Sequence, residues 1–308
     1  MDGVKKVLKK NSMLFVLLIV AVFFGWKTEG VLFDPQNVTN LIAQNGHVVI
    51  LAVGMLMCIL TGGNIDLSVG SIVAFIGAVA GKLMVTYKMN FVPVIIICLI
   101  LGVLIGMWQG FWVAYIRIPS FIVTLAGMLL WRGVSLIILD GLTISPFPDE
   151  FKVIFNSYIP NPFGGSINIM CMLAAVLTCL AYILIFANSR RIRKKQGYVV
   201  ENPIPAVMKV AVVCLMILLV AFRMAQFQGL SSILVILAIV VGIYTYYTSK
   251  TVGGRYLYAV GGNEKAAKMS GVNTNRVLFF AFTNMAFLSA VAALVCVARF
   301  NSAAPTAG

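Results

Sequence analysis

Acidic residues are scarce in this chain: nine Asp and Glu stand against 23 Lys and Arg in 308 residues, and charged residues of both signs make up only 10%. Soluble domains carry roughly 25%, so a soluble enzyme or binding module is excluded. One histidine, His47, is present, near the start of an apolar run where a hydrogen-bonded structural role is expected. The six cysteines (Cys58, Cys98, Cys171, Cys179, Cys214, Cys296) lie in apolar runs with no CxxC pair, which argues against zinc and disulfide frameworks. No paired acids, histidine cluster or nucleophile beside a base falls within a run, which argues against a membrane enzyme. Gly81-Lys82 resembles the end of a phosphate loop, but its glycine spacing is too short and Leu83 stands where Ser or Thr is required, so no nucleotide site is encoded. No metal or cofactor is expected.

What the chain has is hydrocarbon. Residues are 61% hydrophobic and the mean hydropathy is +1.02. The apolar runs suit helices crossing a bilayer core of roughly 30 Å, whereas a barrel would show short alternating segments. The predicted fold class is all-α, a polytopic transmembrane helical bundle of about nine spans: Met13 to Trp26, then approximately 41–61, 68–87, 91–115, 119–139, 167–187, 204–222, 230–247 and 277–297. The first run follows a basic start but no A-x-A-like cleavage site follows it, so it reads as an uncleaved helix.

The net charge of +14 reflects topology. Lys5, Lys6, Lys9, Lys10, Arg117, the cluster Arg190 to Lys195, and Lys250, Arg255, Lys265, Lys268 and Arg276 fall on alternate loops, against Lys27, Lys88, Lys152, Arg223 and Arg299 on the others. The positive-inside rule places the N-terminus in the cytoplasm and, after nine spans, the chain end outside. With no basic face, no nucleic-acid partner is expected. Loop 188–203 reads as an orientation signal touching anionic membrane lipid. Loop 140–167, with Pro146, Pro148, Pro160 and Pro162, is expected to be an irregular cap on the outer mouth. Lys82 and Arg132 lie inside spans near their outer ends, where snorkelling or a structural ion pair would satisfy them.

Three segments stand out. Gly102, Gly106 and Gly110 form a small-xxx-small ridge that lets helix backbones approach in lipid, as do Gly77 and Gly81. The stretch from Thr61 to Ser71 breaks the helix at Gly62-Gly63. It carries Asn64, Asp66 and Ser68, and reads either as a tight turn with an N-cap or as broken helix beside a translocation path. The third is 261–271: Asn263 suits an N-cap, Glu264 the first turn and Gly271 the C-cap of a helix of about two turns. Its exposed Lys265 and Lys268 suit docking into a partner's cleft.

Gly63 through Ser71, Pro119 through Leu129, Gly261 through Gly271, and Pro305-Thr306-Ala307-Gly308 resemble, in order, the permease subunits of bacterial ABC sugar importers of the ribose/xylose/multiple-monosaccharide branch. The two spans within 167–222 resemble the xylose and multiple-monosaccharide members, and Ser145-Pro146-Phe147-Pro148 resembles the multiple-monosaccharide members. The resemblance implies a homodimeric permease in the bacterial plasma membrane, an ABC-type ATPase subunit that hydrolyses ATP, and an extracytoplasmic sugar-binding protein. Xylose, glucose, galactose and arabinose are all open as the monosaccharide. The implied cytoplasmic coupling helix is Asn263, Glu264, Lys265, Ala266, Ala267, Lys268, Met269, Ser270 and Gly271. Candidate path residues, each equally readable as packing, are Gln44, Asn45, Trp108, Gln109, Trp112, Thr124, Thr283 and Asn284, with Gly62, Gly63, Asn64, Asp66 and Ser68. Family members continue past Pro-Thr-Ala-Gly, so the chain reads as a single permease domain, 1–308, incomplete at its C-terminus. An ion-coupled secondary transporter is the rival; its only candidate carboxylate, Asp66, sits beside a turn.

Overall fold

In hydrocarbon each span must satisfy its own backbone hydrogen bonds, and runs of Leu, Ile, Val, Ala and Phe do so here as helices. The computed structural model describes residues 12–162, 164–165, 167–198 and 203–308; among these there is no strand, only two isolated bridges. The helices are α1 (Ser12–Lys27), a 3-10 turn (Val31–Phe33), α2 (Pro35–Leu60), α3 (Val69–Gly81, continued by a π turn, Lys82–Thr86), α4 (Phe91–Ala114) and α5 (Ser120–Leu139). Then come α6 (Asp149–Asn156), α7 (Ile169–Lys195), α8 (Pro203–Ala225), α9 (Ser232–Lys250), α10 (Val252–Gly262), α11 (Glu264–Met269) and α12 (Thr274–Phe300).

Among the described residues eight helices are long and apolar enough to cross a membrane: α2, α3 with its π turn, α4, α5, α7, α8, α9 and α12. The ninth expected span coincides with α1, whose 16 residues extend only about 24 Å. Lys5, Lys6, Lys9 and Lys10 lie outside the described residues.

Three loop expectations need correcting. Helix α7 runs on to Lys195, so Arg190 to Lys195 decorate its last turns rather than a loop, where cations oppose the negative end of the helix dipole. Residues 199–202 of that expected loop lie outside the described residues. The expected irregular loop 140–167 is interrupted by a helix: α6 starts after Pro148 with Asp149 and Glu150 in its first turn, and buries Phe151 and Phe155. Phe147, Phe151 and Phe155 stack at i, i+4 and i+8, with ring centroids 5.6 and 5.2 Å apart. Finally, α10 fills what reads as loop between the last two spans, capped by Thr251 Oγ1, which accepts from the Gly254 N–H at 3.1 Å.

The chain divides into two units, 1–42 with 158–231, and 43–157 with 232–308. In the first, α7 and α8 pair antiparallel: the Asn168 N–H donates to Ala225 O at 2.9 Å, Cys171 Sγ to Ala221 O at 3.5 Å and Cys179 Sγ to Cys214 O at 3.7 Å. In the second, α12 is the central helix, buried from Ala292 through Ala298 and at Leu278, Phe282, Met285 and Leu288, and packed most extensively on α4. The glycine ridge makes that contact. A Cβ on Gly102 would lie 2.6 Å from Ala290 Cβ, one on Gly106 2.6 Å from Thr283 Cα, and one on Gly110 3.0 Å from Phe279 O. Helix α3 packs between α5 and α12.

Candidate functional site

Helix α11 is set by its caps. Asn263 Oδ1 accepts from the Ala266 N–H at 3.0 Å. At the other end Gly271, with φ +85°, lets its own N–H reach Lys268 O and the Val272 N–H reach Ala267 O, both at 3.1 Å, closing the helix as a left-handed C-cap does. Only Ala267 of its six residues is buried, while Lys265, Ala266, Lys268 and Ser270 face outward and Met269 is 90% exposed. This short capped helix with its exposed apolar Met269 forms a knob.

Arg117, by sequence only a loop cation, holds the knob. Its Nη1 donates to Glu264 Oε1 at 2.6 Å, and its Nη2 donates to Thr274 Oγ1 at 3.1 Å and to Asn275 Oδ1. Burial raises the Glu264 carboxyl, but hydrogen bonds from Arg117 and Thr274 and the charges of Arg117 and Lys268 outweigh it and hold the group below the usual glutamate range. Helix α10 delivers the knob against the end of α2: Gly261 lies so close to Leu60 O that no Cβ would fit.

The broken segment lies at the same end. Gly62 and Gly63 adopt φ of +105° and +82°, left-handed backbone that glycine alone enters freely, and the Gly63 N–H closes α2 on Ile59 O at 2.8 Å. Asp66 Oδ1 then accepts from the Ser68 N–H at 2.9 Å and from Ser68 Oγ at 2.6 Å, and Gln109 Nε2 donates to Ser68 Oγ at 2.8 Å. Thr124 Oγ1 bonds Ser120 O at 2.9 Å and Ile65 O at 3.5 Å. Thus Asp66, Ser68, Gln109 and Thr124, all buried, join the segment to α4 and α5. Ser68 occupies the N-cap of α3 without a side-chain cap bond, its oxygen being committed to this chain. Burial raises the Asp66 carboxyl above the usual range, against its two bonds from Ser68. Asp66 Oδ2 and Gln109 Oε1 are buried without a protein partner.

One expected result follows from this chain of bonds. Asp66→Ala should lower stability by about 1–3 kcal/mol, because the Ser68 N–H is left buried without an acceptor. Asp66→Asn keeps an acceptor at Oδ1 and should stay within about 1 kcal/mol of the parent. Thermal unfolding of the purified protein measures both, and equal damage from the two would refute this account of Asp66.

The knob, the segment and the α4–α5 turn border an open, polar cavity of about 410 Å³, lined by Thr61, Gly62, Asn64, Arg117, Ser120, Asn263 and Glu264 among others. The remaining path candidates lie apart from it. Gln44 and Asn45 are some sixteen residues up α2 from Leu60, roughly 24 Å along the axis. Asn284 accepts from Tyr244 Oη and donates to Met57 Sδ at 3.3 Å, tying α12 to α9 and α2. Thr283 bonds Phe279 O on its own helix at 2.8 Å. Trp108 meets Trp131 edge-on at 6.2 Å, and Trp112 meets Phe111 at 5.5 Å. His47 packs edge-on against Phe300 at 6.2 Å.

Arg132 is held by backbone carbonyls. It donates to Pro305 O at 3.2 Å and Gly308 O at 3.5 Å, satisfying backbone carbonyls of a segment that doubles back after Asn301. That segment pairs Ala303 with Ile144, then follows α3 from Gly81 to Gly70. Lys82 reaches Asp140 at 3.4 Å, across the end opposite the knob.

Residues 37–308 match the family described as the permease component of the branched-chain amino acid transport system. The chain belongs to this permease family. The permease is 33% identical over 296 residues to the xylose transport system permease protein of Escherichia coli, covering 96% of this chain and 73% of that relative. It is 31% identical to the xylose transport system permease protein of Haemophilus influenzae, covering 96% and 77%, and 31% identical to the ribose import permease protein of the same organism, covering 96% and 71%. No solved structure matches the permease. The match takes in the knob, the broken segment and the glycine ridge alike.

Proposed function

We propose that this permease is the membrane-spanning subunit of an ATP-driven importer of a monosaccharide, with an aldopentose such as xylose as the first substrate to try. The observation that carries this is the similarity, over nearly the whole chain, to permeases named for xylose and ribose, although the family description names branched-chain amino acids. In this reading ATP is hydrolysed by a separate ATPase subunit that docks on Asn263 to Gly271. An extracytoplasmic binding protein delivers the sugar, and a second copy of the chain completes the channel in the bacterial plasma membrane. The N-terminus and the knob then lie on the cytoplasmic side.

Reconstitution with an ATPase and a binding protein of this transporter class tests the reading. Uptake of labelled D-xylose should require ATP and persist when ion gradients are collapsed, with glucose, galactose and arabinose as competitors; uptake that follows the gradient would overturn it. Orientation is tested by single cysteines in intact cells. Met269→Cys and the exposed Ser189→Cys and Ser249→Cys should be shielded from an impermeant thiol reagent, while Ser157→Cys reacts, as the positive-inside rule requires. The reverse pattern would turn the knob away from any cytoplasmic ATPase.

A further inference from the structure

Arg117 sits in the turn between α4 and α5 with φ +66°, left-handed backbone that costs a non-glycine residue about 1–2 kcal/mol. Strain of this kind persists where the surroundings impose it, and what it achieves here is visible: the guanidinium is aimed at the knob. Its acceptors bracket α11, with Glu264 at the first residue of α11 and Thr274 and Asn275 at the first turn of α12. Helix α11 buries only Ala267, so apolar packing does little to fix its orientation. A rigid guanidinium fork that ties its first residue to the first turn of α12 does.

The ion pair is not there for stability. Both side chains are 41% exposed, and exposed pairs contribute about 0–1 kcal/mol. Its consequence is mechanical, because the turn that carries Arg117 leads directly into the two helices that grip the broken segment, α4 through Gln109 and α5 through Thr124. Arg117 also lines the cavity between knob and segment. We propose that Arg117 is the positioning residue that transmits displacement of the knob to the α4–α5 turn and, through it, to the Thr61–Ser68 segment. This rests on the reading of the knob as the ATPase dock.

The test uses the full complex of permease, ATPase and binding protein, with D-xylose as the probe. Arg117→Gln and Arg117→Glu should each lower xylose-stimulated ATP hydrolysis by about tenfold, within the usual range of coupling free energies, while the ATPase still co-purifies. Glu264→Arg should do the same. The exchanged pair R117E/E264R restores opposite charges across the contact and should recover at least about a third of the stimulation, a rescue expected of coupled neighbours. Should Arg117→Glu fail to fold, Arg117→Lys keeps the charge without the fork and should fall between parent and Arg117→Gln. Hydrogen exchange over 263–273 in the isolated permease should also quicken in each single variant. Parental stimulation in Arg117→Gln, or an exchanged pair no better than its worse parent, would overturn the proposal. Cross-linking from Met269→Cys to the ATPase separates the two layers. A cross-link with normal Arg117 variants removes the role of Arg117 alone, whereas no cross-link removes the dock itself and this proposal with it.

Discussion

Gly106→Leu is expected to abolish accumulation of folded permease. A Cβ at this position would stand 2.6 Å from Thr283 Cα and 2.8 Å from Thr283 O, with Ala286 Cβ at 2.9 Å. Two of those three atoms are backbone of α12, the buried centre of its unit, so no rotamer change relieves the clash and the helices must separate. Overpacking ordinarily costs about 1–3 kcal/mol, which Gly106→Ala should show as a lowered unfolding temperature. Leucine adds a larger side chain to the same collision. Between membrane helices no hydrophobic drive compensates for a lost close approach, so the α4–α12 contact should fail outright. Fluorescence-detected size exclusion of tagged protein measures the outcome. Gly242→Leu on α9 meets nothing within 4 Å and should behave as the parent. A monodisperse, thermally normal Gly106→Leu protein would disprove the role of the ridge.

Gly271→Val is expected to leave the permease inserted and folded while reducing sugar-stimulated ATP hydrolysis by its partner about 100-fold, near the upper end of typical coupling free energies. At φ +85° a β-branched residue is strained. Relieving that strain breaks the two bonds that end α11, from the Gly271 and Val272 N–H groups to Lys268 O and Ala267 O. In a long helix one lost cap frays one end, but here the helix has six residues and the carbonyls that accept the C-cap bonds belong to its second half. The position of Met269 depends on them. No Cβ contact within 4 Å threatens the core at Gly271, which separates this variant from Gly106→Leu: assembly persists and coupling is lost. Gly271→Asn should retain most of the stimulation, because asparagine tolerates left-handed backbone. Equal stimulation in Gly271→Val and the parent would show that the ATPase does not read the shape of the knob.

Membrane insertion, helical class, the approximate spans and the caps of α11 were all legible in the amino-acid sequence. Each rests on interactions among residues close in the chain: hydropathy over about twenty residues, backbone hydrogen bonds four residues apart, and an Asn263 side chain bonding three residues ahead. The glycine ridge was legible as a packing face for the same reason, its spacing being a property of one helix, although its partner α12 was not. Helix α10 was missed because four glycines, Gly253, Gly254, Gly261 and Gly262, weaken its local signal; what sustains it is the Thr251 cap and burial of Leu257 and Val260.

Only the tertiary structure decided which polar residues act together. Arg117 finds Glu264 across 147 residues, Gln109 finds Ser68 across 41, and Arg132 finds Pro305 across 173, while Gln44, Asn45 and Asn284 lie elsewhere in the bundle. Hydropathy fixes how far along a span a residue sits but not which way it faces or which helix end lies beside it. Those follow from how α3, α4, α5 and α12 pack, and a single cation in a short turn takes its meaning from the neighbours that packing supplies.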